Sequence, residues 1–185
     1  MAAPERAVED PFGPGPWSEE DVLELRTAQR VELLDGVLLL SPHSAHRHQW
    51  LAIQLCGVLN AVLPRGRAIG PINVRLRRNR LVIPDVAVVE GVTRSTVVSD
   101  AAAVLLAVEI VSPGNAVMDR AIKPQLYAEA GIPTFLRIEM GADAPVGHLH
   151  TLAGGAYHEV AVGTTLHLTR PCAVTVDMAA LDLDG

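Results

Sequence analysis

From Ala103 to Val111 the chain reads AVLLAVEIV, nine residues in which Glu109 is the only polar side chain. An apolar run of that length without alternation belongs to a strand covered on both faces, in the middle of a sheet. Layers must therefore lie above and below it. The same run buries an acid, and a carboxylate without a partner in an apolar layer costs on the order of several kcal/mol or takes up a proton. Glu109 thus needs a partner, which a hard divalent ion would supply.

The elements around this strand can be read from local chemistry. Ser18-Glu-Glu-Asp21 has the form of a capping arrangement and predicts a short helix to about Arg26. Two β-prone runs flank Asp35-Gly36 between Val31 and Leu40, which predicts a hairpin with positive φ at its turn. Trp50, Ile53, Leu55, Val58, Leu59 and Val62 recur at helical spacing, giving a helix over 44–63 that Pro64 and Gly66 end. Strands are expected at 72–77 and 81–89 with Asn79 near the turn, a helix over 116–130 closed by Gly131, and a strand over 134–139. Pro113-Gly114 is expected to stop the Ala103–Val111 strand, and the chain from Gly147 onward reads as an antiparallel meander. Residues 1–17, rich in proline and glycine, are expected to form a flexible tail, and 18–185 a single domain.

Composition narrows the class. A hydrophobic fraction of 49% with a net charge of −6 fits a soluble globular protein. An acidic balance argues against strong non-specific DNA binding, which draws on clustered positive charge. Yet Arg65, Arg67, Arg75, Arg77, Arg78 and Arg80 fall within sixteen residues and form either a basic strip with some phosphate affinity or a solvated hairpin. Aromatic residues make up 3% and provide few platforms for stacking bases. Two cysteines form no framework, no secretory signal pattern or membrane-length apolar run is present, and a reducing cytoplasm is the expected location.

All basic charge but one is carried by arginine: fourteen arginines and a single lysine, Lys123, 14 positions after Glu109 and 38 after Asp85. Lysine brings a compact ammonium that arginine does not imitate. Asp85 follows Pro84 inside Leu-Val-Ile-Pro-Asp-Val-Ala-Val-Val, a second acid in apolar surroundings. Proline lacks the amide a ladder needs, so Pro84 marks a strand start, an edge or a bulge. Two such acids on adjacent strands could share one hard divalent ion. Asp119, Lys123 and Tyr127 lie at i, i+4 and i+8 and share a face of a regular helix, although Pro124 predicts a kink there. His43, His46 and His48 have no second ligand cluster to make a zinc site; His48 is either an auxiliary base or phosphate contact, or a polar residue at a helix start.

The ordered set Val31-Glu-Leu-Leu-Asp-Gly36, Ser41-Pro42, His48, Pro84-Asp85-Val86, Glu109-Ile-Val-Ser-Pro113, Asp119, Lys123, Tyr127 and Ala130-Gly-Ile-Pro133 resembles the Uma-type restriction endonuclease family of the PD-(D/E)XK nuclease superfamily. The resemblance implies a mixed α/β fold, a restriction-endonuclease-like core with a central mixed sheet flanked by helices, here with the added C-terminal meander. It implies Mg²⁺- or Mn²⁺-dependent hydrolysis of phosphodiester bonds in nucleic acid, DNA more than RNA. Asp85 and Glu109 become the metal-binding acids, with the carbonyl of Ile110 or Val111 as a further ligand, and Lys123 the catalytic cation. The chain departs from the usual superfamily spacing, because Val111 stands where a lysine two residues after the second acid is expected. Glu32 matches the family's first acid, with a water-mediated metal contact or a solvent-facing strand position as its two readings. Asp119 is either a site residue or an ion-pair partner of Lys123 or Arg120, and Tyr127 packs with its hydroxyl at the rim. The competing expectation is a module that keeps the nuclease scaffold without turnover and binds nucleic acid or protein. A homodimer is compatible with either, and a membrane role with neither.

Overall fold

A computed structural model describes residues 15–27, 29–41, 44–64, 66–112, 116–141 and 143–183. The greater part of the proposed tail, as well as Pro42, His43, Arg65 and Pro113-Gly114, lies outside the described residues. At the start of the described chain Ser18 caps helix α1 (Glu19–Glu24) in a full capping box with Asp21, and the Trp17 amide bonds to the Gly36 carbonyl.

One sheet of five strands has the order β2-β1-β5-β4-β7, with β1 Arg30–Leu34, β2 Val37–Ser41, β4 Asn73–Arg77, β5 Arg80–Val82 and β7 Val98–Asp100. The β1–β2 pair is the hairpin expected around Asp35-Gly36, where both turn residues take positive φ. A second sheet of six strands has the order β11-β10-β9-β8-β6-β3, with β3 Arg67–Ile69, β6 Val86–Val89, β8 Val104–Val111, β9 Thr134–Glu139, β10 Val146–Ala153 and β11 Ala156–Gly163. Strands β12 (Thr165–Leu168) and β13 (Val174–Asp177) pair with each other before the short helix α4 (Met178–Leu181).

β8 is the buried strand inferred from its composition. It runs antiparallel to β6 and parallel to β9, and the crossover to β9 is helical. On one face Leu106, Val108 and Ile110 pack with Leu51, Leu55 and Leu59 of α2 (His46–Val62); on the other, Val104 and Ala107 pack with Tyr127, Ile132 and Phe135. The two periodicities, two for the strand and 3.6 for the helices, meet in these two cores.

Two expectations need correction. The stretch 81–89 is not one strand: β5 belongs to the five-stranded sheet and β6 to the six-stranded sheet, with Ile83-Pro84-Asp85 crossing the seam. Proline supplies no ladder amide, so the pairing changes partner there. The helix expected over 116–130 is also not uniform. A π-helical segment, Met118–Ile122, leads into α3 (Lys123–Glu129), with Pro124 in its first turn, where a missing amide is tolerated.

Candidate active site

Asp85 sits where the two sheets meet, and its backbone amide donates to the Val108 carbonyl of β8. That position requires Gly70 beside it, because a Cβ at residue 70 would stand 1.9 Å from the Asp85 carbonyl oxygen. The Asp85 carboxylate is fully engaged. Oδ1 accepts from Arg30 Nη1 at 2.6 Å, while Oδ2 accepts from the Ile110 amide at 2.8 Å and lies 3.1 Å from His48 Nε2. Burial would raise this acid, but the His48 hydrogen bond and the Arg30 charge outweigh it and hold it well below the usual carboxylate range.

Glu109 and Lys123, 1% and 2% exposed, face each other with Lys123 Nζ 3.1 Å from Glu109 Oε1. The ammonium also lies 3.0 Å from Glu32 Oε1, 4.0 Å from Asp119 Oδ1 and 3.4 Å from the Ile83 carbonyl. Glu32 in turn accepts from the Ile83 amide at 2.6 Å. The Tyr127 hydroxyl is not at the rim, as expected, but fully buried, because it donates to Glu109 Oε1 in the interior. Burial pushes Glu109 up to about 8 against the opposing charge of Lys123, and Asp85 and Asp119 add to the rise. Burial likewise moves Asp119 up to about 6, again against Lys123. Burial works against charge on Lys123 as well, but Glu109 and Glu32 more than compensate and keep it protonated.

Asp85, Glu109 and Asp119 therefore border one narrow crevice, together with Arg30, Ser44, His48, Ile110 and Ser112. Asp119, Lys123 and Tyr127 all turn inward, as their spacing predicts, even though the helix is wound more loosely over Met118–Ile122. Glu32 is buried and not solvent-facing. His48, in the first turn of α2, is also buried and reaches Asp85. Ile110 lines the crevice, whereas Val111 ends β8 opposite Glu139.

Arg30 is the site residue that sequence reasoning missed. It stands immediately before the Val31-Glu-Leu-Leu-Asp-Gly36 run, in an arginine-rich chain where one more guanidinium carries no signal. Only the pairing of β1 with β5 brings it to Asp85 and to the Ile83 carbonyl, to which its Nη2 donates.

Three arginines of the expected strip form ion pairs within the fold. Arg75 pairs with Glu19 and Asp100, Arg77 with Asp35, and Arg80 with Asp35 and Glu129. These arginines tie α1, the β1–β2 turn and α3 to the five-stranded sheet.

The donors collected at the crevice fit a hard divalent ion. Three carboxyl groups (Asp85, Glu109 and Asp119) line the crevice, so most of its donor atoms are oxygen, while Arg30 pairs with Asp85, and Lys123, which also contacts Glu32, pairs with Glu109. The carboxylates are presently turned to basic and hydroxyl partners, and among the described residues no three acidic, histidine or cysteine side chains form a ready-made cage.

A mixed sheet with helices on both faces and buried acids beside a lone lysine defines a restriction-endonuclease-like α/β protein. The chain belongs to the Uma2 family, described as "putative restriction endonuclease", whose model matches residues 17–181. Its fold is similar to that of a "putative nuclease" from Anabaena variabilis, seen in a crystal structure, with a TM-score of 0.71 at 15% identity over 90% of this chain and 99% of that one. No curated protein matches. The family match supports a nuclease function.

Proposed function

We propose that the protein is a divalent-metal-dependent endonuclease that hydrolyses phosphodiester bonds in nucleic acid, with DNA as the preferred substrate. The observation that carries this reading is that Asp85 and Glu109, far apart in sequence, border one crevice at the seam of two sheets, with Lys123 Nζ 3.1 Å from Glu109 Oε1. Asp85 and Glu109 would hold Mg²⁺ or Mn²⁺, with the Ile110 or Val111 carbonyl as a further oxygen donor. When bound, such an ion lowers the pKa of a water and draws charge from a phosphate. Lys123, fixed by Glu32 and Glu109, presents a protonated Nζ to negative charge that grows on a phosphate oxygen. Asp119 and Tyr127 hold Lys123 and Glu109 in place, and His48 orients Asp85. The two cysteines are free, in keeping with a reducing cytoplasm.

Incubating supercoiled plasmid with the protein and Mg²⁺, with and without chelator and beside Asp85→Asn and Lys123→Met, tests the reading. Nicking that depends on metal and on both residues is expected. Nicking that survives either the chelator or the substitutions would sink it.

One observation favours a second reading, a binding module without turnover: each of the candidate ligands Asp85 and Glu109 already has its own protein partners. Calorimetric titration with Mn²⁺ separates the two, since the scaffold reading expects no site-specific uptake.

A further inference from the structure

Arg30 borders two spaces at once. One is the crevice that holds Asp85 and Glu109; the other is a larger groove of about 480 Å³, lined also by Gln29, Asn73, Thr93, Thr96 and Ser99. The Arg30 side chain is 19% exposed, so it forms a wall between the two spaces and is not an outlying surface charge. Its Nη1 is committed to Asp85 and its Nη2 to the Ile83 carbonyl, but its Nε is buried with no hydrogen-bond partner. A buried guanidinium N–H without an acceptor carries a desolvation cost that a ligand oxygen would remove.

Among the described residues Asp85 Oδ1 is held by Arg30 alone, whereas Oδ2 is held by the Ile110 amide and His48. An incoming divalent ion and the guanidinium thus compete for the same carboxylate oxygen, because two positive charges on one oxygen repel. The displaced guanidinium has somewhere to go. The groove beside it has an apolar side that includes Ile69, Ile72 and Val92 and a polar side of neutral amides and hydroxyls, with no carboxylate among the described residues of its lining to compete with an anion for the guanidinium.

We propose that Arg30 is an exchangeable counter-cation: it caps Asp85 while the metal site is empty, yields that oxygen to the divalent ion, and turns its guanidinium to a backbone phosphate of the nucleic acid in the adjoining groove. The inference rests on the nuclease reading above and adds to it an ordered coupling between metal and substrate. In this scheme Arg30 is a positioning residue for the cation and a binding residue for the phosphate. It weakens metal binding when substrate is absent, so an unloaded protein is protected from idle metal uptake.

The test is a pair of binding measurements on the full chain that need no turnover. Mn²⁺ titrated calorimetrically into Arg30→Gln is expected to bind about tenfold tighter than to the unaltered protein, since the competitor is gone. In saturating Ca²⁺, the affinity of Arg30→Gln for a DNA duplex is expected to fall about tenfold, with a shallower salt dependence. Unchanged or weaker Mn²⁺ binding by Arg30→Gln, beside normal uptake by the unaltered protein, overturns the inference and leaves the nuclease reading standing. Tighter Mn²⁺ with unchanged DNA affinity overturns the transfer to phosphate. Absence of Mn²⁺ binding in both proteins removes the nuclease reading and this inference together. Should Arg30→Gln fail to fold, the unaltered protein gives the answer: the guanidinium resonances of nitrogen-labelled arginine, assigned with Arg30→Lys, must shift for Arg30 on saturation with Mg²⁺. A stationary signal overturns the exchange.

Discussion

At the scale of single residues the site is a set of opposed charges whose balance is set by burial. Lys123 neutralises Glu32 and Glu109 from inside the protein, so Lys123→Met leaves buried acids without their cation. Breaking a buried pair in this way costs roughly 3–5 kcal/mol, and a loss of unfolding free energy of that order, read from urea denaturation, is expected. Lys123→Arg should not restore function, because a forked guanidinium does not fit a space shaped for an ammonium. The acids behave in opposite ways with pH. Asp85 is held below its ordinary value, so its contribution to stability is present above about pH 4 and is lost as the solution is acidified through its folded value. Glu109 is raised from 4.5 to about 8, so between those values the folded chain binds a proton that the unfolded chain releases. Stability therefore declines as pH rises through that window. Urea midpoints measured across it are expected to fall with pH in the unaltered protein and to lose much of that slope in Glu109→Gln, the smaller rise of Asp119 leaving the remainder. An unchanged slope in the variant would contradict the assignment.

Elements bring these charges together through backbone rather than side-chain means. The Ile83-Pro84-Asp85 link between β5 and β6 places an amide and a carbonyl of Ile83 where Glu32, Arg30 and Lys123 bind them. The approach of Gly70 to the Asp85 carbonyl leaves no volume for a side chain. Gly70→Ala must push the β3–β4 connection away from Asp85; about 1–3 kcal/mol of destabilisation, with a larger loss of Mn²⁺ affinity than of stability, is the expected outcome by thermal melting and calorimetry. Along the helix that follows β8, the π-helical turn changes the winding but keeps Asp119 and Lys123 on the inward side. Spacing made that face legible, and Pro124 announced the irregularity. Beyond the irregular turn, Tyr127 and Ile132 pack with Ala107 of β8 and Phe135 of β9.

Across the whole molecule, part of the arginine cluster is turned to structural use. Glu19, Asp35, Asp100 and Glu129 come from four different places in the chain onto Arg75, Arg77 and Arg80. Arg75→Ala is accordingly expected to cost about 1–3 kcal/mol, because it strands the buried Glu19, while leaving the salt dependence of nucleic-acid binding unaltered. A reduced salt slope would return Arg75 to the nucleic-acid surface. Bound metal should raise global stability by mass action, about 2.7 kcal/mol at a hundredfold excess over Kd, and Asp85→Asn should abolish that gain in a thermal shift assay. Among the described residues no helix is long and apolar enough to cross a membrane.

The sequence by itself determined the central strand, the first hairpin and the long helix, and marked Asp85 and Glu109 as acids in apolar surroundings. An unbroken apolar run demands a central strand, a positive-φ dipeptide demands a hairpin, and an acid or lone lysine in apolar surroundings demands a partner, all of which are local requirements. Tertiary structure alone decided which partner each charge found. Arg30 meets Asp85 only because β1 pairs with β5 and the link from β5 to β6 crosses the seam between two sheets. Such contacts depend on strand order and on where the pairing changes, and a linear pattern of charges and hydrophobic residues encodes neither in any one place.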